Sequence, residues 1–313
     1  MTLAFVFPGQ GSQAIGMGQD LADAFIEARE TFEEIDDALE QNLFRLMCEG
    51  PESDLTLTEN AQPALMAVSL AVIRVLERHC GLDLVQELSF VAGHSLGEYS
   101  ALAAAKTFSI SDTARLLKIR GQAMQAAVPV GQGGMAAIIG VDLDSAISLA
   151  KAVSADEVCT TANDNAPGQI VLSGDINAIE KAVRKAADYG ARRAIPLQVS
   201  APFHCSLMKP AAKRMADALN SVEISAPLIP LIANVTAKPV ADPNSIRQLL
   251  IEQVTGMVRW RESILVLKEL GVHKLVEVGS GTVLSGLSRR IDKSLSTTSI
   301  SDPDGIDSFV ESL

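Results

Sequence analysis

Four things are scarce in this sequence, and each scarcity removes a class of function. Positive charge is the first: 26 lysines and arginines stand against 38 aspartates and glutamates, a net charge of −12. So acidic a chain is ill suited to nucleic acid or to an anionic membrane surface, and an acidic partner would have to meet a local basic patch. Long apolar runs are the second. A bilayer-spanning helix needs about 18 or more residues with few charges. The nearest approach here, Ala61 to Ile73, contains Gln62 and Pro63 and ends at Arg74. It reads as a buried helix. Cysteine is the third: Cys48, Cys80, Cys159 and Cys205 show no Cys-x-x-Cys spacing. Reduced, buried thiols in a cytosolic protein are expected. The fourth is a phosphate-cradling signature. Gly9, Gly11 and Gly16 miss the Gly-x-Gly-x-x-Gly spacing, and no P-loop lysine accompanies them. A strand begins at Leu3 with no basic run ahead of it, so no secretion signal is expected.

What is present begins with Gly93-His94-Ser95-Leu96-Gly97. Ahead of it Leu88 to Ala92 is short and apolar, a buried strand; behind it Glu98 to Ala105 reads as helix. Strand, tight Gly-x-Ser-x-Gly turn and helix make a nucleophile elbow. The glycines allow a sharp turn and close approach. Ser95 would stand at a helix N-terminus, where N–H groups and the dipole favour developing negative charge. The bare pattern arises by chance in roughly one chain in ten of this length; its flanks carry the argument.

The 313 residues are enough for a large core and for more than one domain. Leu3 to Phe7 reads as a buried strand followed by the turn Pro8 to Gln13. Residues 20–48 read as exposed helix with an acidic, solvated face, residues 51–60 as a turn-rich connection, and residues 63–79 as one apolar helix. Ser111 is the expected N-cap of a helix to about Ala127. Next come strand 135–141, helix 144–152, strands 158–162 and 169–173, a helix capped by Asp175 and stopped by Gly190, and strand 193–199. That order is the β-α-β-β-α-β of a ferredoxin-like split. It predicts a small domain, residues 130–198, inserted into a larger one formed by residues 1–129 and 199–313. Residues 163–168 read as turn chemistry, with the option of facing a cleft between the domains. Strands 228–234 and 273–278 and helices 210–219, 246–254 and 282–291 complete an alternation that implies a parallel sheet. Its site would lie at the C-terminal strand ends.

A serine needs a base. His94 is adjacent within the elbow, so its ring should point away; His204, on a loop at the same sheet edge, can approach freely. No orienting acid is visible, and a backbone carbonyl would serve as well. Cys205 is the weaker nucleophile candidate. Arg120 has Leu116, Leu117, Ala123 and Met124 as its helical neighbours, all apolar. A buried arginine must be paired, either in a structural salt bridge or with a substrate carboxylate that its fork can grip.

These segments resemble the malonyl-CoA:acyl carrier protein transacylases, acyltransferases of fatty acid and polyketide synthesis. The matches are Phe7 to Gln13, Gln62-Pro63-Ala64-Leu65, Gly93 to Tyr99, Arg120-Gly121, Asn165 to Gln169, Pro202-Phe203-His204, Val258-Arg259-Trp260 and Glu277 to Gly281, in order over nearly the whole chain. The resemblance implies an α/β-hydrolase-like large domain with the ferredoxin-like insert. It implies that Ser95 carries the acyl ester and that His204 is base and then acid. Gln10 and the Leu96 N–H would form the oxyanion hole, and Arg120 would bind the malonyl carboxylate. Gln253, Phe203, His94 and Asn165 would complete the substrate site, with the histidine oriented by a carbonyl around Gln253. No metal or cofactor is implied, the CoA thioester being substrate. The partners would be malonyl-CoA and an acidic acyl carrier protein, docked on Arg192, Arg193, Arg289 and Arg290 with Lys293, and the enzyme is expected to be a cytoplasmic monomer. Ser280 stands where the family often has proline, and Phe203 leaves little room for a branched acyl group. The alternatives are a stand-alone acyltransferase of a polyketide pathway, a serine hydrolase or thioesterase, and a non-catalytic carrier-binding protein.

Overall fold

In the computed structural model, which describes residues 2–313, the strands in chain order are β1 (Leu3–Phe7), β2 (Leu88–Gly93), β3 (Gly133–Ile139), β4 (Cys159–Ala166), β5 (Gln169–Asp175), β6 (Arg193–Pro196), β7 (Leu231–Ile232), β8 (Pro239–Val240), β9 (Lys274–Val278) and β10 (Ser296–Ile300). Six of them form one sheet in the order β10-β9-β1-β2-β7-β8. All its pairings are parallel except β7 with β8.

β1 shows why this sheet is central. All five of its residues are buried. Leu3, Phe5 and Phe7 point into one apolar core, with residues of the Thr58–Arg74, Gly97–Ala104 and Ile110–Ala127 helices. Ala4 and Val6 point into a second core, against the Trp260–Glu269 and Val283–Ile291 helices. Alternation across a strand with apolar matter on both sides is what a parallel sheet between two helical layers requires. The ends of β1, β2, β7 and β9 lie at one edge, which is where ligands bind in such sheets.

The other sheet is antiparallel, in the order β4-β5-β3-β6. Helices Leu143–Ser154 and Ile176–Lys185 connect its strands and cover it with a third core built on Ile138, Leu149, Ile170 and Leu172. The chain order strand, helix, strand, strand, helix, strand is that of the ferredoxin-like split.

Several expectations need correction. Residues 20–48 are helical as expected but not exposed throughout. They form helices Gln19–Ala24, Ile26–Leu39 and Leu43–Glu49, whose Leu21, Phe32, Ile35 and Met47 are buried. The connection after Pro51 is the short helix Glu52–Thr56, and the apolar helix starts at Thr58 and passes through Pro63. Pro63 is the sixth residue of that helix, so it forgoes the i→i−4 hydrogen bond to the Glu59 carbonyl; beyond Arg74 the chain loosens into a π turn, Val75–His79. The Ile110–Ala127 helix is capped by Ser109, whose side chain accepts the Asp112 N–H, not by Ser111. The Asp175 side chain does not cap its helix but accepts the Val158 N–H at 2.6 Å. Residues 163–166 belong to β4, leaving Pro167 and Gly168 as the turn. The strand expected over 228–234 pairs only at Leu231–Ile232. The helices Trp260–Glu269 and Pro303–Glu311 and the strands β8 and β10 had no counterpart in the sequence reading. All four cysteines are free, but only Cys159 and Cys205 are buried; Cys48 and Cys80 are half-buried.

Candidate active site

β2 ends at Gly93 and the next helix starts at Gly97, so only three residues make the turn. Ser95 holds it with φ at 54°, a strained conformation for a residue with a Cβ. The turn closes because both flanking residues lack one. A Cβ on Gly93 would lie 1.9 Å from the Gly97 carbonyl carbon, and one on Gly97 would lie 2.2 Å from the Phe7 oxygen. Asn234, just past β7, clamps the bend. Its Oδ1 accepts the Ser95 N–H at 2.8 Å and its Nδ2 donates to the Gly93 carbonyl at 2.6 Å.

His204 reaches the serine from the loop after β6. Its Nε2 lies 2.8 Å from Ser95 Oγ. Its Nδ1 faces two carbonyls, Gln253 O at 2.8 Å and Gly256 O at 3.1 Å. Carbonyls only accept, so Nδ1 carries the proton and Nε2 offers its lone pair to the hydroxyl. Burial, then the Arg120 charge nearby, hold the imidazole pKa down to about 3. The ring is therefore a neutral base around pH 7.

Arg120 completes the group. It is 1% exposed. Its helix can come so near because Gly121 is bare: a Cβ there would sit 2.5 Å from Glu59 Cα. Nη1 donates to Gln62 Oε1 at 2.7 Å, and Nη2 to Gln253 Oε1 at 2.9 Å and to Ser95 Oγ at 3.1 Å. The guanidinium carbon lies 5.7 Å from the Tyr99 ring centre. Among the described residues no carboxylate lies in ion-pair reach of Arg120. The structural salt bridge is thus absent, and burial depresses the guanidinium pKa. A buried cation held only by neutral groups is poised for an anion.

These groups open into a cavity of about 330 Å³ between the two sheets. Ser95, His204, Arg120, Gln10, Leu96 and Phe203 line it from the large sheet's side, and Met135, Asn163, Asn165 and Val171 from the small sheet. Gln10 Oε1 accepts the Thr58 hydroxyl at 2.7 Å, which leaves its Nε2 free to donate. The Leu96 N–H has no intramolecular partner among the described residues. His94 turns away from the serine, its Nε2 2.9 Å from Asn165 Oδ1. Gln253 is fully buried and does not line the cavity; it stands behind Arg120 and His204.

Arg192, Arg193, Arg289 and Arg290 are exposed and lie outside the cavity. Arg290 donates to Gln169; Gln169 and Arg193 both pair with Ile139, and the Arg192 N–H bonds the Ile139 carbonyl. Three of the four therefore cluster at one end of the small sheet, about 13 Å along β3 from Met135 at the usual rise per residue. Arg289 is tied to Thr297, by Nε at 2.6 Å and Nη2 at 3.1 Å. The sequence reading missed Asn234, Gln62 and Thr58. Asn234 follows an apolar strand at the same sheet edge, and Gln62 stands in an apolar helix, each a polar residue in a place that requires a partner.

The model of the family described as "Acyl transferase domain" matches residues 4–298. The malonyl CoA-acyl carrier protein transacylase of Bacillus subtilis is 44% identical over 312 residues, covering 99% of this chain and 97% of its own. The acyl-carrier-protein-S-malonyltransferase structure from Bartonella henselae superposes with a TM-score of 0.97 at 54% identity, over 100% of this chain and 99% of that one. A malonyl-transacylase solved in complex with its type II PKS acyl-carrier protein superposes at 0.96 with 42% identity, over 100% of both chains.

Proposed function

The chain belongs to the acyl transferase family of the malonyl CoA-acyl carrier protein transacylases, and from that premise we propose that it moves malonyl from malonyl-CoA to the phosphopantetheine thiol of an acyl carrier protein through a Ser95 ester. Ser95 Oγ attacks the thioester carbonyl while its proton passes to His204 Nε2. The oxyanion is met by Gln10 Nε2 and the Leu96 N–H at the helix start. The C–S bond breaks, and CoA leaves with the proton from His204. In the second half the carrier thiol gives its proton to His204, attacks the ester carbonyl and releases the serine, whose oxygen takes the proton back. Backbone carbonyls at Gln253 and Gly256 hold the histidine in the working tautomer. The exchange of one thioester for another requires no cofactor and no metal.

The observation that carries this reading is the buried, carboxylate-free Arg120 beside Ser95 Oγ. A malonyl group brings the missing carboxylate; a general serine hydrolase or thioesterase has no use for such a cation. Phe203 narrows the same cavity, which favours malonyl over a branched homologue. His94 and Asn165 shape its far wall. We assign residues 1–129 and 199–313 to the catalytic unit and 130–198 to an insert that supplies the opposite wall. The carrier docks on Arg192, Arg193 and Arg290; Arg289 serves β10 instead. The four free cysteines fit a cytosolic monomer's reducing surroundings. Fatty acid synthesis is the pathway, with a polyketide pathway as second reading because the carrier complex at 42% identity is of that kind.

The test is intact-protein mass spectrometry after mixing with malonyl-CoA, acetyl-CoA and methylmalonyl-CoA in competition. A stable malonyl adduct on Ser95, passed on when holo carrier protein is added, supports the proposal. Free malonate without an adduct means a hydrolase; no reaction with any thioester means a binding protein.

A further inference from the structure

Glu98 stands directly behind the elbow, on the first turn of the Gly97–Ala104 helix, and is 1% exposed. One of its oxygens, Oε2, accepts from Gln253 Nε2 at 2.7 Å and from the Asn234 N–H at 3.2 Å. Gln253 Nε2 also donates to the Ser95 carbonyl at 2.9 Å. With acceptors on that side, the amino end of the carboxamide must face Glu98 and Ser95. Gln253 Oε1 is thereby turned the other way, where it accepts Arg120 Nη2 at 2.9 Å.

The spacing has a consequence for the guanidinium. A carboxylate placed directly on Arg120 would compete with any carboxylate entering the cavity. With the neutral amide of Gln253 in between, Glu98 orients the cation without occupying it. We propose that Glu98 is a positioning residue. By fixing the orientation of the Gln253 carboxamide it aims the Arg120 guanidinium into the cavity and so sets the preference for an acyl group that bears a carboxylate. This rests on the malonyl-transfer reading. It differs from a purely structural role, in which Glu98 only stabilises the start of its helix.

The experiment compares Glu98→Gln, Glu98→Asp and Glu98→Met in the full chain. It measures kcat/KM for acylation of Ser95 by malonyl-CoA and by acetyl-CoA, with Tm alongside. The aspartate withdraws the acceptor by one methylene, and the methionine removes it. Both are expected to lower the malonyl-to-acetyl ratio by about tenfold, the lower end of what a charge-assisted carboxylate contact supports, mainly through the malonyl KM. Glutamine keeps an oxygen in place and should hold the ratio close to wild type. A ratio unchanged in the aspartate and methionine variants, whatever their Tm, overturns the proposal. So does a loss in the glutamine variant as large as in the aspartate, which would mean that charge matters and placement does not. Should the methionine variant not fold, the glutamine and aspartate pair decides alone. A wild type that does not prefer malonyl-CoA defeats the malonyl-transfer reading itself, before any variant is compared.

Discussion

Replacing Arg120 with alanine separates recognition from chemistry. The guanidinium makes three hydrogen bonds, all to neutral groups, on Gln62, Gln253 and Ser95. On the proposed reading its contact with a malonyl carboxylate would be a charge-assisted bond, contributing about 1.5–3 kcal/mol, or roughly ten- to a hundredfold in kcat/KM. Acetyl has no carboxylate and forfeits none of this. The truncation has a second effect, on stability. Gln62 Oε1 and Gln253 Oε1 lose a donor, at about 1–3 kcal/mol for each buried acceptor left bare. Relief from burying an unpaired cation offsets part of that. Absolute rates therefore mix two effects, and the malonyl-to-acetyl ratio isolates the first. The assay is single-turnover acylation of Ser95 by each thioester, with calorimetric Tm to confirm folding. Malonyl transfer should fall tenfold or more while acetyl transfer holds or rises. Equal loss of both would make Arg120 a structural residue and refute the reasoning.

Further outcomes follow from the same geometry. His204, held at about 3 against the usual 6.5, should stay a competent base as the pH drops, so acylation should run level between pH 8 and 5; an acid limb near 6.5 would contradict the structure, whereas Arg120→Ala should move the limb upward by removing a nearby positive charge. Stability has two opposed contributions: the lowered His204 pKa helps above about 6.5 and is lost as pH falls toward 3, while Glu98, raised from 4.5 to about 7 by burial, helps below 4.5 and is lost as pH rises to 7. Glu98→Gln should therefore flatten the decline in Tm between pH 4.5 and 7, and an unaltered Tm profile would count against that burial. Gly121→Ala puts a methyl 2.5 Å from Glu59 Cα, an overpacking worth about 1–3 kcal/mol; a Tm equal to wild type would show that the helices have slack. Reversing Arg193 and Arg290 to glutamate should raise the KM for carrier protein with the CoA half-reaction unaffected, and insensitivity of the carrier KM to salt would argue for another docking surface.

The elements legible in the sequence were those whose pattern is local. β1 and β2 are short apolar runs bounded by glycine or proline, and the small sheet's strands and helices follow in the β-α-β-β-α-β order that the sequence pattern shows. What escaped was decided elsewhere in the chain. Ser296–Ile300 is a strand of serines, threonines and one isoleucine; only pairing along β9 makes it one. The Trp260–Glu269 helix has no side-chain N-cap, and its identity comes from burying Trp260, Ile264 and Leu267 under the sheet. Residues 163–166 look like a turn because Asn and Asp favour turns, yet the ladder with β5 and the ion pair of Asp164 with Arg261 at 2.8 Å hold them extended.

The same division runs through the site. The Gly-x-Ser-x-Gly turn can be read because its residues are contiguous, even though Gly97 owes its bareness to the Phe7 carbonyl on the neighbouring strand. The partners of Arg120 cannot, since they come from positions 62, 95 and 253 and only the closed fold brings them together. What the sequence does supply is the anomaly: an arginine on an apolar helical stripe, with Gly121 next to it. The buried charge demands a partner, and the glycine demands a close neighbour. Together they require that something polar approach this helix at short range, without saying what. The structure answers with the amides of Gln62 and Gln253 and the Ser95 hydroxyl, neutral acceptors that satisfy the guanidinium without placing a carboxylate on it. Burying a cation with no carboxylate against it carries a desolvation cost that neutral acceptors repay only in part. A carboxylate entering the cavity, as the proposed malonyl group would bring, would supply the charge that Gln62 and Gln253 do not.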